Sequence, residues 1–204
     1  MAADNCQKEF KESEMQNGPT AASASCVNAK LEPLFLKLER QRAHTLSVLS
    51  DWPLERLRFR PAENAWSALE VLDHLVRTER AMCDAAEKNL PWQKEVPLFD
   101  RAKLLALLCM FRFPVKVKVP TAVATILPGN LLSLSEITEH WERERQRWQK
   151  LLRSPVCTRT EVAAVQHPVT GWIDVRGALF FLSVHLKHHA FQFKRLAEEA
   201  MDSR

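Results

Sequence analysis

Glycine is scarce: the chain has four in 204 residues. That scarcity argues against an all-β fold, whose tight turns draw heavily on glycine. The five cysteines (Cys6, Cys26, Cys83, Cys109, Cys157) are odd in number and scattered, with no CxxC pair. They read as free thiols of a cytoplasmic protein, not as a disulfide framework. No apolar run approaches the ~20 residues a bilayer span needs, and the N-terminus lacks a basic-then-apolar leader. No membrane partner is expected. There is no glycine-rich phosphate loop, no serine or cysteine in a nucleophile motif, and no repeat of 20–50 residues. Acidic residues are missing from Arg101 to Ser135, against Arg101, Lys103, Arg112, Lys116 and Lys118. This segment is either a solvated basic surface or a patch that attracts an anionic substrate or partner. Without a recognition-helix motif or interleaved aromatics, nucleic-acid binding is not favoured.

What is present is the composition of a soluble globular domain: 46% hydrophobic, 26% charged, net charge +4. Residues 1–25 are polar without a sustained apolar period and are expected to form a disordered or loosely ordered tail. Residues 26–204 then read as one helical domain. Leu31, Leu34, Phe35, Leu38, Leu46 and Leu49 recur at helical spacing until "DWP" at 51–53. A second helix opens at Ser67 and Glu70 in capping-box spacing and stops before Pro91. Its inner stripe is Val71, His74, Leu75, Thr78, Ala81, Met82 and Ala85. Residues 91–132 read as a long crossover with a short helix capped by Asp100; "VKVKV" at 115–119 alternates like a strand that has no partner. A third helix opens at Ser133 and Glu136 and buries Ile137, Trp141, Glu144, Trp148 and Leu151. Residues 154–171 read as a loop. Asp174 then caps a last helix running to about Met201. The fold class is all-α: a four-helix bundle with a long crossover between helices 2 and 3.

The last helix places histidines where its apolar stripe belongs. At 100° per residue, His185 and His189 lie about 40° apart, beside Leu182, Leu186, Phe193 and Leu196, whereas His188 falls at the rim. A lone core histidine needs only a hydrogen bond. Two stacked imidazoles, with His74 inward on another helix, have the donor set of a metal site. Three such ligands leave an open position for water or substrate, as in catalytic zinc centres. The pattern is not that of a zincin, because Leu186 stands where the general-base glutamate would follow the first histidine. His44 reads as solvated, His140 as a half-surface residue and His167 as a turn residue bonded to loop backbone. Glu144, if buried near an ion, would serve as a proton acceptor; otherwise it pairs with an arginine such as Arg77.

"AENAWSALEVLDHLVRTE" resembles the first signature of the DinB-like superfamily, a Trp-Ser opening into a helix with one histidine. "HPVTGWIDVRGALFFLSVHLKHHAFQFKRL" resembles its last, a His-Pro and Gly turn before His-x-x-x-His and a glutamine three residues on. The resemblance spans about residues 30–200. It implies a four-helix bundle that holds a divalent metal through His74, His185 and His189. Gln192 would stand behind the ligands or in helix packing. Zinc or nickel are the first candidates for the ion; iron and copper also suit three imidazoles. Family activities include thiol-dependent S-transferases, which use a low-molecular-weight thiol cosubstrate, and a maleylpyruvate isomerase. The resemblance therefore implies an S-transferase or a hydrolase acting on a small molecule. The alternative is a non-catalytic binding or stress-response bundle whose metal site is structural or vestigial. An outer bundle face is available for a homodimer.

Overall fold

A computed structural model describes residues 29–113, 126–129, 132–157, 159 and 161–202. Its elements in order are α1 (Glu32–Ser50), α2 (Leu54–Arg58), α3 (Ala68–Asn89), α4 (Leu98–Met110), α5 (Leu134–Arg153), β1 (Ala163–His167), β2 (Gly171–Asp174) and α6 (Val175–Asp202). The four long helices α1, α3, α5 and α6 form the bundle. α3 packs on α5 and α6, and α1 packs on α6. The long connection from α3 to α5 carries α4. The strand-like residues 115–119 and the N-terminal tail lie outside the described residues.

The helix starts follow the sequence closely. Both capping boxes form: Ser67 with Glu70, and Ser133 with Glu136, each exchanging side-chain and backbone bonds. These satisfy amide groups that the first turn of a helix leaves without partners. Asp174 Oδ1 accepts the Gly177 N–H at 2.6 Å and opens α6. All five residues expected on the inner face of α5 are buried.

Two expectations for the connections are corrected. Residues 154–171 are not simply a loop, since β1 and β2 pair antiparallel into a hairpin. Its turn places Gly171 at φ +80°, a conformation glycine adopts without strain. Ala163 and Ala164 are fully packed in this hairpin, against α3 and α6. Small residues in a short strand give a weak periodic signal. Asp100 does not cap α4 either. That helix begins two residues earlier, at Leu98, and Asp100 Oδ2 accepts the Trp172 N–H of β2 at 2.8 Å. The carboxylate ties the crossover helix to the hairpin instead. A short helix, α2, also follows the "DWP" stop.

The core falls into two apolar clusters. One gathers Leu38, Met82, Trp148 and Leu182 with the hairpin and Phe111; the other gathers Leu49, Leu75, Trp141 and Leu186. Buried polar residues stand on three helices where the clusters meet: Glu79 on α3, Arg145 on α5 and His185 on α6.

Candidate metal centre

The imidazoles of His74, His185 and His189 converge inside the bundle. Their exposures are 2%, 6% and 8%, so solvent does not satisfy their ring nitrogens. His74 Nε2 lies 3.3 Å from His185 Nε2, which lies 3.1 Å from His189 Nε2. One ligand atom from each of the three falls within 4.8 Å of the other two, so the group could hold a metal ion. Nitrogens bound at about 2.0–2.1 Å to a tetrahedral zinc lie about 3.3 Å apart. The two spacings from His185 match that edge.

The far side of two of the rings fixes where the proton sits. His74 Nδ1 is 2.7 Å from the Ile126 carbonyl oxygen. A carbonyl only accepts, so this nitrogen donates and Nε2 is left as a bare lone pair. His189 Nδ1 is 2.9 Å from Gln192 Oε1, with the same consequence. His185 Nδ1 is buried and has no hydrogen-bond partner among the described residues. With its one proton on Nε2, His185 can donate to one neighbour only. At least one pair of imidazole nitrogens therefore meets lone pair to lone pair, an arrangement that a cation relieves. Partners behind ligand histidines orient metal sites in this way.

Burial holds all three rings neutral. His185 is lowered well below the usual histidine range by desolvation and by its histidine neighbours. His189 is held down to about 3, and His74 is lowered, each chiefly by desolvation. Neutral imidazole is the form that binds metal. Aromatic rings wall the group. Trp66 lies 4.9 Å from His74, and Phe111 and Phe181 stack on His185 at 5.8 and 5.4 Å between centroids.

The remaining histidines stand apart from this convergence. His188 is half-buried at the rim, stacked 5.0 Å from Phe111. His167 accepts the Val169 and Thr170 N–H groups in the hairpin turn. His44 is exposed and His140 half-buried. Glu144 is buried, but its two oxygens are bound by Arg80 and Arg147, each at 2.8 Å. Its partners are those arginines, while Arg77 pairs with Asp73. The structure thus joins the three histidines and Gln192 and leaves Glu144 in a separate ion-pair cluster. Sequence reasoning missed the Ile126 carbonyl, since a backbone acceptor from a distant segment leaves no residue-type signal. It also missed Glu79 and Arg145, a buried pair 2.8 Å apart.

A three-histidine centre in a four-helix bundle with a long crossover defines a class. The sequence model of the DinB superfamily matches residues 37–193, and the chain belongs to that superfamily. No curated protein matches the sequence. Among the described residues, no helix is long and apolar enough to cross a membrane.

Proposed function

We propose that the protein is a metal-dependent enzyme that transfers a small-molecule thiol to an electrophile at the His74–His185–His189 centre. The observation that carries this reading is the convergence of three buried Nε2 atoms, two of them with their protons already committed on the far side of the ring. A divalent ion there would lower the pKa of a thiol or water that it binds, supplying a nucleophile at neutral pH. The ring orientations are set beforehand by the Ile126 carbonyl and Gln192, so binding needs little reorganisation. Trp66, Phe111 and Phe181 pack around the imidazoles and help exclude water from them.

The chain's own buried thiols are poor nucleophiles. Burial pushes Cys83 up to about 12 and Cys157 up to about 11. Both stay protonated at neutral pH, and only the thiolate attacks. In this reading the nucleophilic sulfur comes from a low-molecular-weight cosubstrate; with water in its place, the same centre is a hydrolase. Glu144 is given no catalytic role in this reading, since two guanidiniums hold its oxygens.

The test is metal content by plasma mass spectrometry on protein purified without an affinity tag or chelator, beside His185→Ala. About one ion per chain in the wild type, lost in the variant, is the expected result. Thiol transfer is then screened with small thiols and electrophiles. A wild type that carries no ion and takes up neither zinc nor nickel at neutral pH would overturn the proposal.

A further inference from the structure

The outward face of α4 is apolar, and its rims are basic. Leu98, Phe99, Leu105 and Met110 are exposed by 84%, 71%, 64% and 39%, and Phe113 just beyond the helix by 65%. With Leu98 at zero on a helical wheel, Leu105 falls near −20°, Cys109 near 20°, Phe99 near 100° and Met110 near 120°. Ala102 and Ala106, both exposed, fill the arc between them. No polar side chain interrupts it. Arg101 stands at one edge near −60° and Lys103 at the other near 140°. Arg112 follows at the exposed C-terminal end. The one carboxylate of α4, Asp100, is turned inward onto Trp172 N–H and Lys103. The opposite face, with Leu107, Leu108 and Phe111, is packed in the core.

We infer that α4 docks on an anionic lipid surface, lying in the interface plane with its apolar face among the upper acyl chains and its arginines at the phosphates. The charge pattern selects this occupant. A second copy pairing face to face would bring more basic than acidic groups together, Arg101, Lys103 and Arg112 against the exposed Glu95 and the Asp100 that Lys103 already holds, and like charges across a contact cost affinity. A bilayer accepts a convex apolar helix face, and its headgroups take up flanking cations on both sides at once. Arg and Lys near an anionic surface each strengthen binding, while apolar area supplies the rest. No membrane crossing is involved. Phe111, which closes α4, stacks on His185 and His188. The docked surface would therefore lie about one helix diameter, ~10 Å, from the histidine centre.

Flotation of the full chain with vesicles tests this, using phosphatidylcholine alone against phosphatidylcholine with about a third phosphatidylserine. The wild type is expected to float with the anionic vesicles and not with the neutral ones, and to be released at about 0.5 M salt. Leu98→Glu with Leu105→Glu, both at exposed positions, should abolish flotation. Arg101→Gln with Arg112→Gln should weaken binding about fivefold for each cation removed. A wild type that stays with the unbound fraction at low salt would overturn the inference, as would variants that float like the wild type. A dimer in solution that Leu98→Glu with Leu105→Glu splits into monomers, without flotation, would assign the face to a second copy and overturn it equally. Metal content is read on the same samples, so loss of the metal reading and loss of the lipid reading are separate results.

Discussion

Two buried polar groups stand where the apolar halves of the core meet, and they are built in opposite ways. In the first, Glu79 and Arg145 are each 3% exposed at the side chain and lie 2.8 Å apart, and Trp141 Nε1 donates to the second Glu79 oxygen at 2.8 Å. Glu144, with Arg80 and Arg147, continues the network toward solvent. Charge meets opposite charge at the centre of the group. In the second, three buried imidazoles meet with no acid among them, and at least one pair of their ring nitrogens faces lone pair to lone pair. Among the described residues, no acid joins the three histidines as a ligand. A closed network serves packing and the choice of helix partner. An open one, built at the same depth, is a place for a cation.

The largest expected effect comes from breaking the closed network. Arg145→Met leaves Glu79 buried without its counter-charge and should cost about 3–5 kcal/mol in urea unfolding. Adding Glu79→Gln to it keeps an acceptor for Trp141 and removes the charge, and should restore most of that loss. If Arg145→Met is nearly neutral, the contrast between the two groups fails.

Metal separates the groups more directly. A ligand at a hundredfold excess over its Kd stabilises by about 2.7 kcal/mol, which is about 5–10 °C in Tm for a chain of this size. Zinc or nickel should raise the wild-type Tm by that amount and leave His185→Ala unchanged. Arg145→Met, though less stable, should keep the full shift. Equal shifts in His185→Ala and the wild type would place the metal elsewhere.

Acid sharpens the comparison through sign. Burial lowers His74 and His185, holds His189 at about 3, and holds His167 at about 4. A histidine lowered on folding takes up its proton first in the unfolded chain. Metal-free stability is therefore intact above about pH 6.5 and falls below it, by about 1.4 kcal/mol per pH unit for each such group until its folded pKa is reached. Glu79 runs the other way. Its pKa is raised by burial, so the folded chain binds that proton more readily and gains from acid. The urea midpoint should drop between pH 7 and pH 5, and His189→Gln, with one imidazole fewer, should give a shallower drop. Identical slopes in the two proteins would show that the buried rings do not control the acid limb.

The difference between the two groups also explains how far each was legible. Both capping boxes, the inward face of α3 and the His185–His189 pair are local, set by spacings of three and four residues, and the sequence displays them. Gln192 is legible for the same reason, three residues from His189. Glu79 and Arg145 sit on different helices. Each alone reads as an ordinary solvated charge, because the partner that permits its burial is 66 positions away. The Ile126 carbonyl is more hidden still, since every residue has one. The hairpin escaped because its packed strand is built on Ala163 and Ala164, which carry little strand preference.

The finest test concerns that local partner. Gln192 fixes the His189 tautomer through one hydrogen bond at 2.9 Å. Partners behind ligand histidines typically contribute 10–100-fold in metal affinity. Gln192→Ala should weaken zinc binding within that range in a chelator competition and leave metal-free stability within about 0.5 kcal/mol, because the residue is half-buried. Gln192→Glu should keep or strengthen binding, since a carboxylate accepts the same proton and makes the imidazole more basic. If alanine and glutamate weaken binding alike, Gln192 acts only in helix packing, and the orientation of His189 comes from its neighbours in the core.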